Sequence, residues 1–189
     1  MTPKIILASA SPRRRQLLKD AKINFETVKS SYIENNSPDL PPVDFVLKHA
    51  IGKAKAVLSK YKEGIILGAD TIVVLGQEII GKPKDNHDAK NILKKLSGKT
   101  HQVITGFVLI DAKTKKMVSK AVTTSVLFKK ISDADIMYYL EAGEHMDKAG
   151  AYAYQGEAKK FIEKVQGSET NIIGLPMEEF LKELKLLSN

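Results

Sequence analysis

The sequence contains no cysteine and no tryptophan in 189 residues, and only 6% of its residues are aromatic. The lack of cysteine excludes disulfides, thiolate zinc sites, iron–sulfur clusters and a cysteine nucleophile, and it agrees with a reducing compartment. The few aromatic side chains are a poor basis for the stacking platforms that bind single-stranded nucleic acid. The chemistry of the chain must therefore rely on oxygen and nitrogen groups.

Long apolar runs are also missing. The apolar stretch before Ala8 consists only of Ile5, Ile6 and Leu7, whereas a secretory signal needs roughly 7–15 apolar residues and a membrane span about 20. The sequence therefore predicts a soluble, cytoplasmic protein without a membrane partner.

Positive charge is in excess, with 30 lysines and arginines against 22 acidic residues and a formal net charge of +8. Such an excess indicates nucleic acid, an anionic membrane or a phosphorylated small molecule as partner. The lysines are spread along the chain rather than grouped in one stripe, which is typical of a solvated surface. We therefore do not expect a nucleic-acid partner.

Strand and helix patterns alternate along the chain. A polar loop is expected over 30–42. Strands are predicted over 4–8, 24–28, 65–75, 78–80, 102–110, 121–131, 157–165 and 170–173, and helices from Ser11-Pro12 and over 44–60, 85–96, 132–140 and from 176 onwards.

This alternation predicts an α/β fold. A Lys-rich turn joins the predicted strands 102–110 and 121–131, which indicates a long β-hairpin and hence a mixed sheet flanked by helices. No repeat, low-complexity tract or break in composition divides the chain. We therefore expect one domain over residues 1–189.

The segment from Ser9 to Arg15 is the first candidate for chemistry. It lies between a predicted strand and a predicted helix, where unpaired N–H groups favour phosphate. Its hydroxyls and its guanidinium groups, which include Arg13 and Arg14, would bind phosphate oxygens well. The alternative is an ordinary serine cap followed by solvated arginines. The P-loop spacing GxxxxGK[ST] is absent, which argues against the usual kinase or ATPase.

Asp70 is the second candidate, because it interrupts the apolar run 65–75. An unpaired carboxylate is costly to bury, so such an aspartate normally pairs with a cation, binds a metal or sits at a turn or an exposed strand end.

Two lysines and a glycine-rich loop complete the candidates. Lys53 lies at the edge of the apolar face of helix 44–60, and Lys82 precedes a proline that extends the backbone; a surface position is the alternative for both. The loop 143–156 contains Gln155, whose amide can pair with a base edge that carries both a donor and an acceptor; a flexible turn cluster is the alternative. The histidines lack the spacing of metal ligands.

Seven segments, together with the acidic Glu34, resemble the Maf family of nucleoside triphosphate pyrophosphatases in order and spacing. The segments are LASASPRRRQLL (7–18), GKAKAV (52–57), GADTIVVL (68–75), GKPKD (81–85), LSGKTHQVITG (96–106), DKAGAYAYQG (147–156) and NIIGLP (171–176). The resemblance implies a Maf/ITPase-like fold of two lobes with a central cleft.

The resemblance also implies an activity: hydrolysis of a nucleoside triphosphate to the monophosphate and pyrophosphate, with Mg²⁺ or Mn²⁺. The motif DKAGAY followed by Gln-Gly implies the branch that acts on dTTP and UTP, with modified pyrimidine nucleotides as an open addition. By position, Asp70 corresponds to the proton acceptor, and Lys53 and Lys82 are expected to be catalytic with it. Arg13, Thr71 and Gln155 correspond to pyrimidine choice, and Ser9 and Arg14 to the rest of the substrate-binding pocket. Glu34 and Asp70 offer oxygen ligands for the metal.

Two departures from the family pattern and two alternatives remain. His145 stands where relatives often have proline, and Tyr154 where they often have a smaller aliphatic residue; both lie in the loop that should read the base. Asp70 is either the base or only a holder of the metal and its water. A nucleotide- or nucleic-acid-binding regulator of cell division without turnover is the alternative function. A homodimer is implied only by relatives that are often dimers.

Overall fold

Helices and strands alternate in the computed structural model, which describes residues 3–34 and 40–187. In chain order these are β1 (Ile5–Leu7), α1 (Pro12–Asp20), β2 (Phe25–Thr27), α2 (Pro42–Leu58), β3 (Ile65–Leu75), β4 (Glu78–Ile80), α3 (Asn86–Leu96), β5 (Thr100–Asp111), β6 (Met117–Phe128), α4 (Asp133–Glu141), β7 (Ile162–Gln166), α5 (Glu169–Ile173) and α6 (Met177–Leu187). Two short 3₁₀ turns, Ala149–Ala151 and Glu157–Phe161, precede β7.

The strands form one sheet with the order β2-β1-β3-β5-β6-β7, and β4 pairs with β3 outside this path. β1 runs parallel to β2 and to β3, with Ile5 opposite both Phe25 and Ile65. β4 is antiparallel to β3, and β7 is antiparallel to β6. Because parallel and antiparallel pairs occur together, the predicted mixed α/β sheet is confirmed, and β5 with β6 forms the long hairpin.

Helix starts follow the capping residues of the sequence. Ser11 caps α1, with Pro12 at its first turn, and accepts a hydrogen bond from the N–H of Arg14. Asp85 caps α3 and Ser132 caps α4 in the same way, through the N–H groups of Asp88 and Asp135. Each cap satisfies a backbone N–H group that the helix leaves without an intrahelical partner.

The chain divides into two compact units. The first comprises Met1–Asp70, Thr105–Val122 and Gly174–Asn189, and the second comprises Thr71–Ile104 and Thr123–Ile173. A core in the first unit includes Ile6, Ala8, Ala50, Ala54, Val57, Ile66, Val108 and Ile110. The core of the second includes Val73, Leu93, Leu96, Val126, Phe128, Ile136, Tyr139, Tyr152 and Phe161. The expected organisation as one domain with a cleft stays a prediction.

Two glycines let α2 approach the sheet closely in the first unit. A Cβ atom on Gly68 would overlap the carbonyl oxygen of Ala50, and one on Gly106 would lie 2.9 Å from the backbone carbon of Val46. Only a residue without a side chain fits such approaches between backbones. Gly68 and Gly106 thus set the position of α2 on β3 and β5.

Two predicted strands are wrong in part. Residues 157–161 form a 3₁₀ turn, so that only residues 162–165 of the predicted strand 157–165 are extended, as part of β7 (Ile162–Gln166). The predicted strand 170–173 is the short helix α5. The hydroxyl of Ser168 accepts the N–H of Asn171 and so starts a helical turn, despite the β-branched residues that follow.

No helix among the described residues is long and apolar enough to cross a membrane. The predicted loop 30–42 lies partly outside those residues. Its described part before residue 35 forms neither helix nor strand, and α2 begins at Pro42.

A buried polar pair lies in the core of the second unit. His101 Nε2 and the hydroxyl of Tyr152 share a hydrogen bond of 2.8 Å, and the rings of His101 and Phe128 pack in a T-shaped arrangement. Burial lowers the pKa of His101 from 6.5 to about 4 and raises the pKa of Tyr152. Both side chains are therefore neutral in the folded protein near pH 7.

We predict that His101 makes stability fall in acid. Its pKa is lower in the folded chain than in the unfolded chain, so neutral His101 contributes fully above pH 6.5 and this contribution is lost as pH falls towards 4. The full loss is on the order of 3 kcal/mol. Urea unfolding at pH 7.0 and pH 4.5 should show a larger fall for the wild type than for His101→Gln, which cannot titrate. Equal falls in both proteins would contradict the prediction.

Candidate active site

The amino-terminal end of α1 carries a buried guanidinium. Arg14 Nη1 donates to Ser9 Oγ at 3.1 Å, and Arg14 Nε donates to the carbonyl oxygen of Gly174 at 2.8 Å. Ser9 Oγ also accepts the N–H of Ser11. Ser9 and Arg14 are both more than nine-tenths buried. The segment that was expected to bind anions is thus fixed by its own side chains before any ligand arrives.

Arg14 is electrostatically linked to two acidic residues. Burial lowers the pKa of Arg14, whereas the charges of Asp70 and Glu34 act in the opposite direction and favour the charged guanidinium. The neighbouring charge of Arg13, which is half-buried on α1, again lowers the pKa of Arg14. The carboxylates of Asp70 and Glu34 therefore lie close enough to stabilise a buried cation.

Asp70 lies in the middle of β3, 8% exposed, and not at a turn or a strand end. Its Oδ1 accepts a hydrogen bond from Lys53 Nζ at 2.6 Å. Gly68 and Asp70 are two residues apart and therefore face the same side of the strand. Because α2 lies against Gly68, Lys53 of α2 reaches Asp70.

Lys53 holds a second carboxylate. Its Nζ lies 2.8 Å from Glu34 Oε1 as well, while the side chains are 14% exposed for Lys53, 12% for Asp70 and 50% for Glu34. One ammonium group therefore brings together a mostly buried carboxylate and a half-exposed one. Lys53 does not point into solvent, which was the alternative left open by its place at the helix edge.

Two residues that sequence reasoning missed, Ser30 and Tyr32, fix the main chain before Glu34 on α2. Ser30 Oγ donates to the carbonyl oxygen of Lys53 at 3.0 Å and accepts the N–H of Tyr32. The Tyr32 ring covers Gly52, where a Cβ atom would overlap it. A glycine inside a helix costs about 1 kcal/mol relative to alanine, so Gly52 was the one signal in the sequence that a close contact exists there.

The remaining predicted site residues belong to the second unit. Thr71 follows Asp70 on β3 and is half-buried, whereas Lys82 and Gln155 are exposed on loops. The N–H of Gly150 donates to the carbonyl oxygen of Gly81 at 3.0 Å, so the loop that contains Gln155 is bonded next to Lys82.

The two departures from the family pattern each make a side-chain contact within this unit. His145 Nε2 lies 2.8 Å from Asn86 Oδ1, and burial lowers the pKa of His145. Burial, followed by a hydrogen bond to Glu169, raises the pKa of Tyr154 to about 12. Both residues thus fix the loop on which they stand.

The oxygen donors of Asp70 and Glu34 fit a divalent cation of the Mg²⁺ or Mn²⁺ type. Such ions are commonly held by one or two carboxylates, with water and substrate phosphates as the other ligands. The two carboxylates lie on the same ammonium group. The described part of the chain contains no cluster of three or more acidic, histidine or cysteine residues that could hold an ion without such further ligands.

Close relatives share nearly the whole chain. A protein of Citrifermentans bemidjiense named dTTP/UTP pyrophosphatase is 47% identical over 97% of this chain and 95% of its own length. Proteins of the same name from Geobacter sulfurreducens and Ruminiclostridium cellulolyticum are 44% and 45% identical, over 96% and 97% of this chain and 95% and 96% of their own lengths.

A solved structure shares the fold at much lower identity. The Staphylococcus aureus Ham1 protein matches with a TM-score of 0.56 and 14% identity, over 96% of this chain and 98% of that one. This likeness bears on the fold alone and agrees with the expected ITPase-like architecture. The family model described as Maf-like protein matches residues 4–187. On this match and on its relatives, the chain belongs to the Maf family.

Proposed function

We propose that this protein hydrolyses dTTP and UTP to the monophosphate and pyrophosphate. The observation that carries the proposal is the cluster in which Lys53 bonds both Asp70 and Glu34, with Arg14 held in the field of the same two carboxylates. Relatives at 44–47% identity are named dTTP/UTP pyrophosphatase, which supports the choice of substrates.

The cations match the charge of the substrate. A nucleoside triphosphate brings roughly four negative charges, and its hydrolysis at the α-phosphorus requires that this charge be neutralised and the attacking water oriented. We assign Arg13, Arg14, Lys53 and Lys82 to the phosphates. Ser9 holds the guanidinium of Arg14 and can itself donate its hydroxyl proton to a phosphate oxygen.

Asp70 is proposed to act on the water. Its carboxylate is ordered by Lys53 before substrate binds, so it can hold a water molecule in one orientation and take its proton. Glu34 and Asp70 would hold the Mg²⁺ or Mn²⁺ ion, which when bound lowers the pKa of a water ligand and neutralises phosphate charge. Lys53 keeps the two carboxylates from repelling each other until then.

Base choice is assigned to Gln155, with Thr71 and Arg13. An amide carries an acceptor and two donors, and the pairing edge of uracil or thymine offers N3–H between two carbonyl oxygens. One orientation of the amide therefore matches this edge. Modified pyrimidines that keep the same edge are substrates of the same kind.

A panel of ordinary and modified nucleoside triphosphates, each with Mg²⁺ or Mn²⁺, tests the proposal through pyrophosphate release. We expect dTTP and UTP to be turned over fastest, and only with a divalent ion. Binding of dTTP without release of pyrophosphate, or salt-dependent DNA binding without turnover, would instead support the alternative of a regulator.

Asp70→Asn should lower kcat by at least about 100-fold, the lower range of general acid–base effects. The amide keeps the shape of the side chain and can still accept a bond from Lys53, but it cannot take a proton. The measurement is steady-state pyrophosphate release with dTTP, with circular dichroism to confirm the fold.

The matched control is Asp44→Asn, the same change at an exposed position in the first turn of α2. It should lower the stability of the helix end by no more than about 1 kcal/mol and leave kcat unchanged. Near-normal turnover by Asp70→Asn would show that Asp70 has no part in proton transfer.

Gln155→Ala should reduce base preference more than it reduces the rate with the best substrate. Loss of the amide removes hydrogen bonds that only the correct base makes, so we expect the ratio of kcat/KM for UTP over CTP to fall by about tenfold. The control is Gln77→Ala in the exposed turn between β3 and β4. An unchanged ratio in Gln155→Ala would refute its assignment to the base.

A further inference from the structure

Glu144 makes a contact that none of the roles above uses. Its Oε2 accepts the N–H of Glu157 at 3.1 Å. Its carboxylate also lies against Gly156 so closely that a Cβ atom on that glycine would overlap Oε2. Glu144 therefore holds the two residues that follow Gln155 in the chain.

The residues before Gln155 are held as well. The N–H of Ala153 donates to the hydroxyl of Tyr139 at 3.1 Å, and the N–H of Gly156 donates to the carbonyl oxygen of Ala153 at 3.2 Å. Tyr154 forms a hydrogen bond with Glu169. The backbone is thus fixed on both sides of Gln155, while the Gln155 side chain itself is exposed.

Fixing this backbone matters for the choice between uracil and cytosine. The two bases are similar in shape but present opposite donor and acceptor groups, since cytosine has N4–H₂ where uracil and thymine have O4. An amide that turns over by 180° exchanges its own donor and acceptor and fits cytosine as well. Gln155 can therefore discriminate only if its amide keeps one orientation towards the base, and a fixed main chain limits the positions from which the amide can reach that base.

We infer that Glu144 is a positioning residue for base selection, which acts on Gln155 through Gly156 and Glu157. The inference rests on the proposed hydrolysis of dTTP and UTP and extends it to a residue whose carboxylate contacts the backbone beside Gln155. The absence of a side chain at residue 156 is what allows the Glu144 carboxylate to reach the backbone.

Gly156 provides an independent way to break the contact. Its φ of −121° is negative, as for most residues other than glycine, so the position does not require glycine for a left-handed backbone. The added Cβ would meet the far end of a flexible side chain, so Gly156→Ala displaces the Glu144 carboxylate and leaves the charge of the protein unchanged. Glu144→Ala removes the same contact from the other side.

The experiment compares kcat/KM for UTP and CTP, and for dTTP and dCTP, in the full-length protein. We expect Glu144→Ala and Gly156→Ala each to lower the uracil-over-cytosine ratio by about tenfold, the value of roughly one hydrogen bond. The double variant should lose no more than either single one, because both break the same contact. Glu144→Gln should restore the ratio, since its amide oxygen still accepts the N–H of Glu157.

Controls separate this role from simple destabilisation. Glu141→Ala, at the exposed end of α4, removes a glutamate close by in sequence and should leave the ratio unchanged. Thermal unfolding of every variant should show that the folded state persists at the assay temperature. A reduced overall rate with an unchanged ratio in Glu144→Ala and Gly156→Ala would overturn the inference while the proposed function stands. No pyrophosphate release by the wild type with any nucleotide would overturn both.

Discussion

The ammonium group of Lys53 is the point on which the candidate site depends. Asp70 is almost completely buried in β3, where an unpaired carboxylate would be strongly unfavourable, and Lys53 Nζ lies 2.6 Å from it. The ammonium reaches that depth only because α2 lies directly on the strand at Gly68. The absence of a side chain at Gly68 thus allows the ammonium group of Lys53 to reach Asp70.

The same ammonium explains how the carboxylate of Glu34 is brought to the pair of Lys53 and Asp70 although Glu34 lies outside any helix or strand. Ser30 and Tyr32 fix the main chain before Glu34 on the surface of α2, and the ion pair with Lys53 completes the arrangement. Two carboxylates that share one ammonium leave a net negative charge, which a divalent ion or the field of Arg14 can balance. The groups are therefore ordered without substrate, so less conformational freedom is lost when substrate binds.

Hydrogen bonds at helix starts could be predicted from the sequence, because their partners are close to each other in the chain. Ser11, Asp85 and Ser132 were placed correctly as helix starts or caps, because a cap bonds an N–H only a few residues away. Asp70 could be identified as a site residue for a different reason. A charged side chain within an apolar run is costly to bury unless it is paired, binds a metal or reaches solvent. Its pairing with Lys53 was not readable, since the spacing of the two residues says nothing of how closely α2 approaches β3.

The segment 171–176 shows most clearly what could not be predicted from the sequence. Its resemblance to the family marked it, but its β-branched residues predicted a strand. In the structure Asn171 donates to the carbonyl oxygen of Val103 and to Thr124 Oγ1, within the second unit. Gly174, in the first unit, adopts φ +127° and offers its carbonyl oxygen to Arg14 Nε. Because that last bond uses a main-chain oxygen and a residue 160 positions away, no side-chain pattern encodes it. The glycine is required by the backbone conformation rather than by any chemistry of its own.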